Sequence, residues 1–132
     1  MQPDTMARWH TVVETRDVAT LDDLLADEVV FQSPVVHTPQ AGKSLTVAYL
    51  QAAMMVLAGP DFRYVREIRG PSDAMLEFET TLDGVLVNGV DIIHWNPQGL
   101  ITEFKVMVRP LKAIEKVHQQ MAALLSARRG AG

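Results

Sequence analysis

The sequence predicts an α+β domain in which helices pack on one face of a strongly curved, mostly antiparallel sheet. Three observations carry this. Before Gly59 the apolar residues recur mainly at helical spacing, broken by one short β-branched and aromatic run. From Phe62 to Arg109 the pattern changes to strands separated by turn signals. An amphipathic segment after Pro110 closes the chain. Helices laid into the concave side of such a sheet leave a central apolar pocket closed at one end.

The elements follow in order. Pro3 to Arg16 reads as a helix, with Met6, Trp9, Val12 and Val13 on one face. Asp17 suits the N-cap of a short helix over Val18 to Ala26, because its carboxylate can accept the first-turn N–H groups. Asp27-Glu28 ends that helix and Val29-Val30-Phe31 starts a strand. Ser33-Pro34 stops the strand, and Val35 to Gly42 is loop. A third helix covers about Ser44 to Leu57, with Leu50, Ala53, Met54 and Leu57 facing inward and Gly59-Pro60 ending it.

Four strands then form a meander. Phe62 to Arg69 is ended by Gly70-Pro71-Ser72-Asp73, and Ala74 to Leu82 turns at Asp83-Gly84, a hairpin signal. The last two, VLVNGVDIIHW and the run to Arg109, are joined by Asn96-Pro97-Gln98-Gly99. Alternation puts Ala74, Leu76, Phe78 and Thr80 on one face, and Phe104, Val106 and Val108 on one face. Pro110 suits the first turn of the closing helix, whose stripe is Leu111, Ile114, Val117, Met121, Leu124 and Leu125.

Composition bounds the function. The 132 residues make one domain, read as residues 1–126 with a flexible tail over 127–132. A net charge of -4, with Arg128-Arg129 as the one basic run, argues against a nucleic-acid partner. Without cysteine there is no disulfide, thiol catalysis or thiolate zinc, which fits a reducing cytoplasm. No signal peptide is apparent, and the apolar stretch Leu45 to Gly59 is too short to span a bilayer. His10, His94 and His118 are scattered, so neither a metal nor another cofactor is expected.

The segments LDDLLADEVVFQSPVVHTPQAG and GVDIIHWNPQGLITEF resemble the NTF2-like superfamily, in its SnoaL-like and ketosteroid-isomerase-like branch. The resemblance implies the cystatin-like cone: a curved sheet wrapped around three to four helices. Ketosteroid isomerases use a Tyr on the first helix, an Asp base before a Pro after the first strand, and an Asp on the third meander strand. Trp9, Ser33 and Asp91 take those places here. Only Asp91 is retained. The resemblance therefore implies a pocket acid without the isomerase base. It also implies a homodimer through the outer sheet face.

Asp91 is the one charge in an otherwise apolar strand. Burial there disfavours its ionised form, so it is read as a general acid or hydrogen-bond donor, or else as a structural acid bonded to a Trp N–H or a backbone amide. His37, in the loop expected to rim the pocket, is the candidate base, or a loop histidine bonded to backbone. Ser33, His37 and Asp91 would make a triad in name, but no strand–turn–helix elbow holds the serine. Trp9, Trp95, Met54, Phe78, Phe104 and Val106 are expected to wall or fill the pocket. Tyr49 and Tyr64 carry hydroxyls that helix and strand phase do not place. Limonene-epoxide-hydrolase-like members of the superfamily that the chain resembles need an Asp–Arg–Asp set around water; no Arg near Asp91 has the right parity, which argues against that branch. The expected function is binding of a small apolar carbonyl or polycyclic compound, handled by cofactor-independent acid/base chemistry of the isomerase, cyclase or lyase type, or else a non-catalytic hydrophobic-ligand-binding or dimeric scaffold role.

Overall fold

In the computed structural model, which describes residues 4–131 and side chains through residue 126, four helices fill the concave side of one six-stranded sheet. The elements are α1 (Thr5–Thr15), α2 (Val18–Leu24), β1 (Leu25–Gln32), β2 (Gln40–Ala41), α3 (Lys43–Leu57), β3 (Arg63–Arg69), β4 (Asp73–Leu82), β5 (Val85–Trp95), β6 (Ile101–Arg109) and α4 (Leu111–Ala131). The strand order is β2-β1-β6-β5-β4-β3, antiparallel except where β1 runs parallel to β6. Among the described residues no helix is long and apolar enough to cross a membrane.

Local chemistry sets the ends of the elements. Asp4 caps α1 by accepting from the Ala7 N–H, and Asp17 caps α2 by accepting from Ala19 N–H. The Pro3 start expected for the first helix lies outside the described residues. Asp83 and Gly84 both have positive φ, as the two-residue β4–β5 hairpin requires. In the β5–β6 turn, Asn96 Oδ1 accepts from the N–H groups of Gln98 and Leu100, both at 3.0 Å. Thr5 Oγ1 donates to the Gly99 carbonyl at 2.9 Å, which ties the start of α1 to that turn.

The sheet alternation expected from sequence holds. Ala74, Leu76, Phe78, Thr80 and Leu82 of β4 are buried, as are Val87, Gly89, Asp91 and Ile93 of β5. Phe31, Phe78 and Phe104 are the largest fully buried side chains. Four details differ. Asp27-Glu28 lies inside β1, not after α2, because a register shift between Leu25 and Val30 lets both acids stand out into solvent. Gln40–Ala41 forms a short edge strand in the expected loop. Leu111 is 70% exposed and leaves the expected stripe of α4, while Val117 and Met121 are buried as expected and Ala113 joins them. The backbone of α4 stays helical through Ala131, across most of the segment expected to be a tail, where Ala and Arg favour helix.

One glycine shapes the floor of the cone. Gly89 stands opposite Phe78 across the β4–β5 pair, and the Phe78 ring lies over it. A Cβ there would sit 2.3 Å from Phe78 Cζ and 2.8 Å from the Met107 carbonyl oxygen. Phe78 is fully buried and the carbonyl belongs to β6, so neither can retreat cheaply. Gly89→Ala is expected to cost about 1–3 kcal/mol of unfolding free energy in urea. A midpoint equal to that of the parent protein would show that Phe78 is free to move.

Candidate functional site

Asp91 is buried on the concave face, where it lines a cavity of about 50 Å³ between sheet and helices. The walls are apolar: Phe31, Phe78 and Phe104 from the sheet, Leu50 and Met54 from α3, Val117 and Met121 from α4. Against them stand a few polar groups, the Asp91 carboxyl, the Tyr64 hydroxyl, the Trp9 indole N–H and the Ser33 hydroxyl.

The first three make a chain. Trp9 Nε1–H donates to Tyr64 Oη at 3.0 Å, and the Tyr64 hydroxyl donates to Asp91 Oδ2 at 2.7 Å. Burial pushes the Asp91 carboxyl up from its ordinary 3.8, and the hydrogen bond from Tyr64 only partly offsets this, leaving it at about 7. Near neutral pH the group is thus divided between acid and carboxylate. Burial and the neighbouring Asp91 charge push the Tyr64 hydroxyl well above its usual range, while the Trp9 hydrogen bond pulls the other way. Tyr64 therefore stays protonated and donating.

The far side of Tyr64 is held from outside the cavity. The His10 ring meets it edge-on at 5.4 Å, and His10 Nε2 is 2.6 Å from Glu67 Oε1. Glu67 is in turn ion-paired to Arg69. The phenol, carried on β3, packs against His10 of α1 on one side and against Phe62 and Phe78 on the other, so its ring is held by packing as well as by Asp91.

The expected site residues fall into two groups. Trp9, Ser33, Met54, Phe78, Phe104 and Val106 join Asp91 around the cavity. Ser33 carries no base; its Oγ accepts from the Val35 N–H at 3.1 Å in a local turn. His37 does not join them. The loop turns outward after Pro34, and His37 is exposed in a separate groove. Trp95 is also absent from the lining: it sits four residues beyond Asp91, ~13 Å along an extended strand, past a register shift at His94. Tyr49 packs its ring on Phe31 at 5.7 Å and likewise stays out of the lining. Asp91 is bonded to Tyr64, not to the Trp N–H or backbone amide weighed from the sequence. Among the described residues no three His, Cys, Asp or Glu side chains are grouped to hold a metal.

A buried acid facing an apolar cavity inside a helix-filled sheet sets the class of fold and site, and comparison gives the chain a family. The SnoaL-like domain model matches residues 6–104, and the chain belongs to that family. A steroid delta-isomerase from Pseudomonas aeruginosa is 30% identical with a TM-score of 0.90, covering 96% of this chain and 92% of its own. An uncharacterised protein with a cystatin-like fold from Silicibacter pomeroyi is 32% identical, TM-score 0.84, covering 91% and 84%. An NTF2-like protein of unknown function from Mesorhizobium loti, 24% identical with a TM-score of 0.70, covers 81% and 89% and shares the fold. None of the curated proteins matches this chain.

Proposed function

We propose that this protein binds a small, mainly apolar carbonyl compound in the cone and moves one of its protons with Asp91, an acid/base reaction of the isomerase type that needs no cofactor. The observation that carries the reading is the buried carboxyl at about 7, 2.7 Å from a protonated Tyr64, in an apolar cavity. Similarity to a steroid delta-isomerase supports the reaction class. Proton transfer is most efficient when the group's pKa lies near the working pH.

The chemistry uses one carboxyl twice. A ketone oxygen entering the cavity accepts the Tyr64 O–H that Asp91 held. Asp91, released from that hydrogen bond, takes a proton from the carbon α to the carbonyl. The C–H pair becomes the C=C bond of an enolate, the carbonyl π pair moves to oxygen, and Tyr64, polarised by Trp9, holds the charge. Asp91 then returns the proton, to the same carbon or to the end of a conjugated chain. Exchange of α-hydrogens of cyclohexanone in D2O, followed by NMR, tests this. Binding without exchange above the buffer rate would leave only the second reading, a hydrophobic-ligand or scaffold protein, which the small volume of the cavity favours.

The outer sheet face carries exposed Ile68, Met75, Leu86 and Met107. An apolar face of this kind fits self-association, and we propose a homodimer through it. Sedimentation should give twice the chain mass, and Met75→Lys should return it to one; a parent protein that sediments as a single chain rules this out.

A further inference from the structure

The walls of the cavity differ in how far they can give way. On the sheet side Phe31, Phe78 and Phe104 are fully buried, and other rings hold each of them. Phe104 meets Trp9 at 4.9 Å and Phe31 at 6.1 Å between ring centres. Phe78 stacks on Phe62 at 5.4 Å and rests on Gly89. A close-packed set of stiff rings has no slack, so this wall is fixed.

The helix side is built differently. Leu50 and Met54 of α3 and Val117 and Met121 of α4 face the cavity. Leu50 and Val117 are buried and branched, which leaves them few rotamers. The two methionines are unbranched and end in a soft thioether, so they can adopt other shapes without moving the backbone. Met54 is half-buried at the edge of the cavity, while Met121 is buried. With all four in place the cavity holds only about 50 Å³. A fused-ring skeleton enters such a space only if a wall yields, and the walls that can yield are Met54 and Met121.

We infer that Met54 and Met121 set the size limit of the ligand, so that the substrate class is a single-ring or short open-chain ketone and not a polycyclic one. Burial alone would favour the larger molecule, because each added methylene that finds room tightens binding about fourfold. A second fused ring finds no room against the phenylalanine wall. It has to drive a methionine out of the rotamer that closes the cavity, and forcing extra carbon into a packed interior outweighs the gain from burying it. Neither methionine takes or gives a proton; the pair acts on which ketones reach Asp91. The inference rests on the proposed function for the presence of a ketone in the cone.

The test compares cyclohexanone with 2-decalone, which fuses a second ring to the same ketone. Affinities are measured by calorimetry for the parent protein, Met54→Ala, Met121→Ala and the milder Met121→Val, with α-hydrogen exchange followed in parallel and folding checked by circular dichroism. The parent is expected to bind cyclohexanone about tenfold tighter than 2-decalone. Each methionine variant should lose that preference or reverse it. Met55→Ala, on the same helix but 68% exposed, should keep it. A parent protein that binds 2-decalone as tightly as cyclohexanone overturns the size limit. So does a preference that survives in the folded methionine variants, or one that Met55→Ala abolishes as fully as Met54→Ala. A preference that moves as expected without exchange of either ketone keeps the size limit and removes the proton transfer. Exchange of both ketones with no size preference does the reverse. If neither ketone binds, both fall.

Discussion

Asp91→Asn is expected to lower α-hydrogen exchange of bound cyclohexanone by about 10²–10⁴-fold, the usual worth of a positioned general base. The amide keeps the shape and can still accept the Tyr64 hydrogen bond, but it cannot take a proton. At subsaturating cyclohexanone, where the free protein sets the profile, the parent rate should rise with pH around a midpoint near 7, where Asp91 passes from acid to carboxylate, and the variant should show no such rise. Tyr64→Phe separates the roles. It removes the donor facing the developing oxyanion, at a cost of about 10²–10³-fold. It also removes the hydrogen bond that lowers the Asp91 pKa, so its residual rate should have a midpoint above the parent's. A Tyr64→Phe variant that loses rate with an unmoved midpoint would mean that the phenol does not touch Asp91 in solution. Full activity in Asp91→Asn would remove Asp91 from the chemistry altogether.

Asp91 was legible in the sequence because a strand has a period of two. One acid among Val87, Gly89, Ile93 and their neighbours on the buried face stands out from its surroundings, and the cavity is where that face looks. The same counting found Phe78, Phe104 and Val106. It failed at Tyr64 for a definite reason. Counting back from the Gly70–Asp73 turn pairs Arg69 with Ala74 and continues in step to Arg66 with Glu77. The next residue, Val65, should then oppose Phe78 and face inward. A bulge skips it, and Tyr64 takes that place instead. No feature of RYVREIR marks the slip except that an exposed Val65 and an inward Tyr64 give the phenol a partner. His37 failed differently. A loop carries no periodicity, so its place in the chain said it was near the cavity and could not say on which side of Ser33-Pro34 it would fall.

The carboxyl should also impose a pH dependence on stability opposite in sign to that of a paired surface acid. Asp91 titrates at about 7 in the folded protein and near 3.8 when the chain is unfolded. Below about pH 4 both states hold the proton, and its burial as a neutral acid costs least. Between about pH 4 and 7 the folded state keeps a proton that the unfolded state releases, so stability falls as pH rises. Above 7 both are ionised and the loss is complete, on the order of 4 kcal/mol. Glu67 runs the other way. Burial raises its carboxyl, but hydrogen bonds from Arg69 and His10 and their charges outweigh this and lower it, so its contribution is lost as pH falls through the acid range. The two overlap near pH 4, and a curve of the parent protein alone would mix them. The difference between parent and Asp91→Asn isolates the first, because Glu67 is common to both. Urea unfolding at pH 5, 6, 7 and 8 should show the asparagine variant gaining steadily on the parent, most of the change falling below pH 7. Curves that stay parallel would mean that water reaches Asp91 and that its carboxyl titrates like an exposed one. A gain at neutral pH would mean that the fold carries a charge an amide in the same place avoids, a stability cost of the kind the proposed proton transfer would entail.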